Sequence, residues 1–196
     1  MTKYILIGGY VAKAEDGGKS FAEELTKNFK EPVKILDCMF AREEETWNEK
    51  FKEDVLFFEK HLPNKKLEMK LANEANFVEQ IKWADAIFIR GGKTKPLLDK
   101  LRKQNRWEKE LVGKTVAGTS AGAHAIAKYY YGLDEKAEII KGLNLLPVKV
   151  IVHYRSDYNS PNRDWDKADE IMRDCENTIE LVQLREGEFK VFDKKT

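Results

Sequence analysis

The stretch TVAGTSAGAHAIA, Thr115 to Ala127, sets one serine between two glycines, Gly118-Thr-Ser-Ala-Gly122, where a β-branched run gives way to an alanine-rich, helix-favouring one. Two kinds of chemistry fit Ser120. A helix cap needs only a side-chain oxygen near the second or third helical amide, and serine is a favoured cap. A nucleophile needs more: a tight strand-to-helix turn that exposes the hydroxyl, small neighbours that let the turn close, and an amide just beyond it to receive an oxyanion. Gly118, Ala121 and Gly122 supply the small neighbours. The start of the helix sets the Ala121 N–H and a partial positive charge beside the oxygen. The context favours a nucleophile and covalent acyl chemistry.

A serine nucleophile needs a base, and the chain has three histidines. His61 closes a long amphipathic segment just before Pro63, where it complements the helix dipole, and reads as structural. His124 lies one turn beyond Ser120, but a side chain there packs down the flank of its helix, so it is the rival. His153 ends the apolar run Val148 to Val152 and is the preferred base. A second glycine stretch, IFIRGGKTKPLL, looks like the tail of a phosphate-binding loop, yet that pattern requires glycine where the chain has Ile87, so nucleotide binding is disfavoured. Gly91 and Gly92 remain as candidates for a second oxyanion donor, or simply as a tight turn.

Along the chain, β-rich runs bounded by Gly, Pro, Asn or charge predict strands over Tyr4–Ile7, Val33–Leu36, Leu67–Leu71, Ala86–Ile89, Thr115–Ala117 and Val148–Val152. Helical spacing predicts helices over Ser20–Phe29, Thr46–His61, Glu74–Trp83, Pro96–Arg102 and Ala121–Tyr129. Thr178–Leu184 and Phe189–Phe192, either side of Glu186-Gly187, read as a terminal β-hairpin. This is an α/β rhythm: a three-layer arrangement with a mostly parallel sheet, helices on both faces and right-handed crossovers. The loops after Ile7, Ile89, Ala117 and Val152 should then converge at the carboxyl edge.

Composition narrows the classes. The chain has 196 residues, enough for one domain spanning 1–196 with its own core. Lys and Arg number 35 against 34 Asp and Glu, a net charge of +1, so no overall field favours nucleic acid or an anionic membrane. Cys38 and Cys175 lie far apart with no CxxC and no neighbouring histidine, which argues against a zinc site and a disulfide framework. The apolar run at the N-terminus is too short for a signal peptide or a membrane span, so the expectation is a cytoplasmic monomer or homodimer without metal or cofactor.

Three segments together, IFIRGGKTKPLL, GTSAGAHA and GLNLLPVKVIVHY, resemble the signature regions of the serine peptidase family that contains aspartyl dipeptidase (dipeptidase E) and cyanophycinase. The resemblance runs through most of the chain and implies a class I glutamine amidotransferase-like fold and hydrolysis of small peptides. It implies Ser120 as nucleophile, His153 as base, and the amides of Gly91 and Ala121 as the oxyanion hole. The family's acidic triad member falls between serine and histidine, where Asp134 and Glu135 are available and Glu135 fits the count better. Arg163, in SPNRDW, stands roughly where the family sets an arginine for an acidic amino-terminal residue, and Gly92 and Thr94 of the glycine turn join it as substrate-binding candidates; a surface arginine beside a helix start is the other reading of Arg163. Two departures stand out: Arg90 replaces a glycine and Lys93 an asparagine, adding positive charge beside the expected hole, where Arg155 and Arg163 would add more. A non-peptidase amidase or esterase, and a non-catalytic binding protein, stay open on the same fold.

Overall fold

Period-two alternation of apolar side chains builds a sheet that is buried on both faces. A computed structural model of the protein describes residues 1–132, 138–156 and 163–195. Five strands come first, β1 (Thr2–Ile7), β2 (Val33–Cys38), β3 (Leu67–Leu71), β4 (Ala86–Ile89) and β5 (Thr115–Thr119), followed by β6 (Ala127–Tyr131), β7 (Ile139–Lys141), β8 (Leu146–Ile151), β9 (Glu180–Gln183) and β10 (Phe189–Lys194). Among the described residues the main sheet runs β10-β1-β5-β4-β2-β3, with all pairs parallel except β10 against β1. A second sheet runs β7-β6-β8-β9.

Helices α1 (Lys19–Leu25) and α2 (Trp47–His61) cover one face of the main sheet, where Ile5, Ile7, Ile35, Phe88 and Ala117 meet Phe21, Leu25 and Phe58. The alternate residues Tyr4, Leu6, Leu36, Ile87 and Val116 point the other way, into a core shared with α3 (Phe77–Trp83), α4 (Thr94–Lys103), α5 (Ala121–Ile126) and the inner side of the second sheet. Helix α6 (Trp165–Asp174) packs Ala168 and Met172 on Tyr131 and Ile151 of that sheet. No helix among the described residues is long and apolar enough to cross a membrane.

The mostly parallel sheet with flanking helices is the expected architecture, and two local differences matter for the site. The helix expected over Ala121–Tyr129 stops at Ile126, and Ala127 opens β6, because the following aromatic run, Tyr129-Tyr-Tyr, favours a pleated surface and pairs with β8. At the C-terminus the antiparallel addition to the main sheet is β10, which lies along β1 from Thr2 to Ile7. Its companion β9 instead joins β8 of the second sheet in parallel. The turn between them, closed by the Glu188 amide on the Arg185 carbonyl at 3.2 Å, therefore spans the two sheets.

Candidate active site

The buried strand β5 passes into α5 within a single residue, Ser120, whose φ of 50° and ψ of −109° lie where a residue with a Cβ is strained. Such a conformation costs about 1–3 kcal/mol and persists only where its surroundings over-determine it. Here they do. The Ser120 amide donates to the Ile7 carbonyl at 3.0 Å and its carbonyl accepts from the His124 amide at 3.0 Å, pinning the turn between β1 and α5. A Cβ at Gly118 would run into the Gly122 backbone and one at Gly122 into the Ile89 carbonyl, so only glycines let helix and strands close this tightly. The Ser120 side chain makes no capping hydrogen bond. Its Oγ lies instead 2.8 Å from His153 Nε2.

His153 follows the end of β8, with a φ of 52° that turns its ring toward the elbow and its amide donating to the Gly8 carbonyl at 2.9 Å. The other ring nitrogen, Nδ1, lies 2.5 Å from Glu186 Oε1. Glu186 Oε1 also accepts from Ser156 Oγ at 3.2 Å, and Oε2 from the Tyr10 amide at 2.8 Å. Burial raises the tendency of this carboxyl to hold its proton, but the hydrogen bond and charge attraction of His153, with the Ser156 and Tyr10 donors, outweigh it and hold the carboxyl below its usual range. An ionised carboxylate only accepts, so Nδ1 carries a ring proton, and in the tautomer with Nε2 bare the Ser120 hydroxyl donates to Nε2. Gly9 makes room for the pair: a Cβ there would overlap the Glu186 carboxylate and come within 2.7 Å of His153 Cε1.

Glu186 is the residue the sequence reading missed. The carboxylate on Nδ1 among the described residues comes from the turn between β9 and β10; Asp134 and Glu135, the acids expected from the resemblance, both lie outside the described residues. The one signal available was an acid at a turn, Glu186-Gly187, leading into the strand that borders β1. Gly91 comes close enough to the elbow that a Cβ there would be 3.1 Å from Ser120 Cβ and 3.7 Å from its Oγ. Its backbone therefore borders the serine on one side while the Ala121 amide, first in α5, follows it on the other. Gly92, at φ 152°, has space for no Cβ against the Ala41 carbonyl.

Other expected residues fall elsewhere. Thr94 opens α4, and its Oγ1 lies 3.0 Å from His124 Nδ1. His124 is 4 % exposed, stacks on Tyr130 at 4.2 Å between ring centroids, and is pushed down to about 3 by burial and by the charge of His153. It stays neutral inside the core and does not touch Ser120 Oγ. Arg163 sits over the Tyr131 and Trp165 rings and donates from Nη1 to the Gly132 carbonyl at 3.1 Å. Lys93 pairs with Glu43 at 2.7 Å and Arg155 with Asp166 at 2.7 Å, both at the exposed surface.

Ser120, His153, Gly91 and Gly92 help to line a cavity of about 450 Å³, a volume suited to a small ligand. Tyr10, Val11, Phe57 and Phe88 add apolar lining, Arg42, Asp54 and Arg90 buried or half-buried charged lining, and Glu53 an exposed carboxylate. Neither Thr94 nor Arg163 is among the described residues lining it. The arrangement can activate a hydroxyl, stabilise an imidazolium and receive an acyl group beside two backbone amides.

The model of peptidase family S51 matches residues 13–196. Among solved structures, a peptidase from an acI-B1 actinobacterium superposes with a TM-score of 0.68 at 20 % identity, covering 98 % of this chain and 83 % of that one. A peptidase E-like protein from Listeria monocytogenes EGD-e superposes with a TM-score of 0.63 at 18 % identity, covering 100 % and 99 %. At these identities the likeness is one of fold. No curated protein matches the chain.

Proposed function

The chain belongs to peptidase family S51, a family of serine peptidases, and from that membership we propose that Ser120 is its nucleophile, His153 its general base and Glu186 the acid that orients the base. The observation that carries the reading is the hydrogen-bonded series Ser120 Oγ, His153 Nε2, His153 Nδ1, Glu186 Oε1, hung on a serine whose backbone is strained and whose side chain caps nothing. Ser120 Oγ attacks the acyl carbon as Nε2 takes its proton, and Glu186 stabilises the imidazolium so formed. The amides of Gly91 and Ala121 receive the oxyanion. His153 then protonates the leaving amine, and a water, deprotonated by the same ring, releases the acyl group and restores the serine.

The substrate class in this reading is a small peptide with an acidic amino-terminal residue, supported by the size of the cavity and by the guanidinium groups in its wall. A fluorophosphonate probe tests the nucleophile, and a panel of dipeptides with free amino termini tests the substrate. Labelling of Ser120, lost in Ser120→Ala, with turnover of Asp- or Glu-initiated dipeptides, is the expected result. Labelling combined with turnover of simple esters or amides in preference to peptides would turn the reading toward an amidase or esterase, and a wild-type chain that is not labelled would leave a binding protein.

A further inference from the structure

We propose that Arg42 and Arg90, in the wall of the cavity that opens onto Ser120, form an anion subsite that binds a carboxylate of the peptide substrate. The inference rests on the serine peptidase reading and adds which side chains select the substrate. Period-two alternation turns Asp37 of β2 to the same face as Val33 and Ile35, and Arg90, two residues beyond Phe88, to the same face again, beneath α2. There Arg90 Nε meets Asp54 Oδ2 of α2 at 3.0 Å, and its guanidinium lies 5.2 Å from the centre of the Phe88 ring. Asp37 and Asp54 are buried neighbours, and no donor reaches either Asp37 oxygen among the described residues, so two ionised carboxylates there would repel each other without compensation. Asp37 is fully buried, and burial together with the charge of Asp54 raises its carboxyl well above the usual range, which favours its protonated form.

The charges around the wall then do not cancel. Both guanidiniums are positive; Arg90 has Asp54 as its ion-pair partner and Arg42 has none among the described residues, so with Asp37 held toward its protonated form one positive charge is left in excess. Glu53, which also lines the cavity, is exposed, and water screens it. Arg42 Nε is shielded from solvent and has no acceptor among the described residues. A buried donor without an acceptor beside an uncompensated positive charge is a site lacking one anion, and a carboxylate matches a guanidinium in shape as well as in charge. Arg163, held on Gly132 and two rings, is outside this wall. Asp54 is a positioning residue that fixes the Arg90 fork.

A peptide offers two such carboxylates, an acidic side chain and the C-terminus, and paired substrates separate them. The measurement is kcat/KM for Asp-Leu against Asn-Leu, and for Asp-Leu against Asp-Leu amide, in the wild type, Arg42→Gln, Arg90→Gln and Arg163→Gln. The expected result is that one of the two ratios falls about ten- to a hundredfold in Arg42→Gln and Arg90→Gln and holds in Arg163→Gln; the ratio that falls names the carboxylate. Both ratios unchanged in Arg42→Gln while Ser120 still labels with fluorophosphonate would overturn the subsite and leave the peptidase standing. Arg90→Gln strands Asp54 and is the variant exposed to misfolding, whereas Arg42 makes no ion pair among the described residues, so Arg42→Gln decides the matter alone. If the wild type does not label, the hydrolase reading fails instead. The subsite is then read by calorimetric titration of succinate, whose affinity must fall about tenfold in Arg42→Gln, and equal binding overturns it.

Discussion

Removing the Ser120 hydroxyl, the His153 ring or both is expected to abolish peptide hydrolysis to the same degree, because each group works only through the other. The check is single-turnover kinetics on Ser120→Ala, His153→Ala and the double variant, in which additive losses would speak against a shared unit. Glu186→Gln keeps the shape of the acid but offers Nδ1 no charge and, through its amide, a donor that favours the wrong tautomer. It is expected to lower kcat by about three to four orders of magnitude with little change in KM. Asp134→Ala and Glu135→Ala, by contrast, are expected to stay near wild type, since Nδ1 already has its acceptor in Glu186; a large loss in either would reopen the assignment. His124→Phe preserves the stack on Tyr130 and removes only the Thr94 contact, so activity is expected to persist.

The elbow works at the level of elements because β5, β4 and α5 approach to a separation that only hydrogen at Cα allows. Gly122→Ala forces a methyl group onto the Ile89 carbonyl, and the helix must shift away from β4 and carry the Ala121 amide with it. A loss of stability of about 1–3 kcal/mol in denaturant titration is expected, with a fall in kcat among the folded molecules. This part of the site was legible in the sequence, because a Gly-x-Ser-x-Gly segment between a β-branched and an alanine-rich run dictates its own geometry over five residues. His153 was legible for a similar reason: it ends an apolar run, and the ends of parallel strands converge. Glu186 was not, because its position depends on β9 and β10 pairing with β8 and β1 in two different sheets. Local pattern reads those strands as partners of each other, and nothing within ten residues of Glu186 reports the sheet it faces. Arg42 and Asp37 were hidden likewise: one lies in a loop and the other is a lone acid inside an apolar strand, and only the packing of α2 over the main sheet brings them together.

Across the whole molecule a net charge of +1 conceals groups whose protonation in the fold differs from that in the unfolded chain, and these set its stability against pH. Glu186 is held below its usual range, so its contribution is present above the ordinary carboxylate pKa of about 4 and is lost as the pH falls through its folded value. His124, pushed down to about 3 by burial, acts in the same direction: below its ordinary value of about 6.5 the unfolded chain binds a proton that the fold refuses, and stability falls. Asp37 has the opposite sign. Its folded pKa is raised by burial, so its contribution is complete below about 4 and declines as the pH rises through the folded value, because the unfolded chain gives up the proton first. The molecule is thus destabilised on the acid side by a histidine that must charge and on the alkaline side by an acid that must ionise. Asp37→Asn separates the two. The amide keeps the size and polarity of the protonated carboxyl but does not titrate. The free energy of unfolding, from denaturant titrations at pH 5 to pH 8, is expected to fall with rising pH in the wild type relative to Asp37→Asn, while both share the same acid limb. Parallel curves across that range would mean that Asp37 is ionised in the fold, and would return to Asp54 the proton that the charge balance of the cavity wall assigns to Asp37.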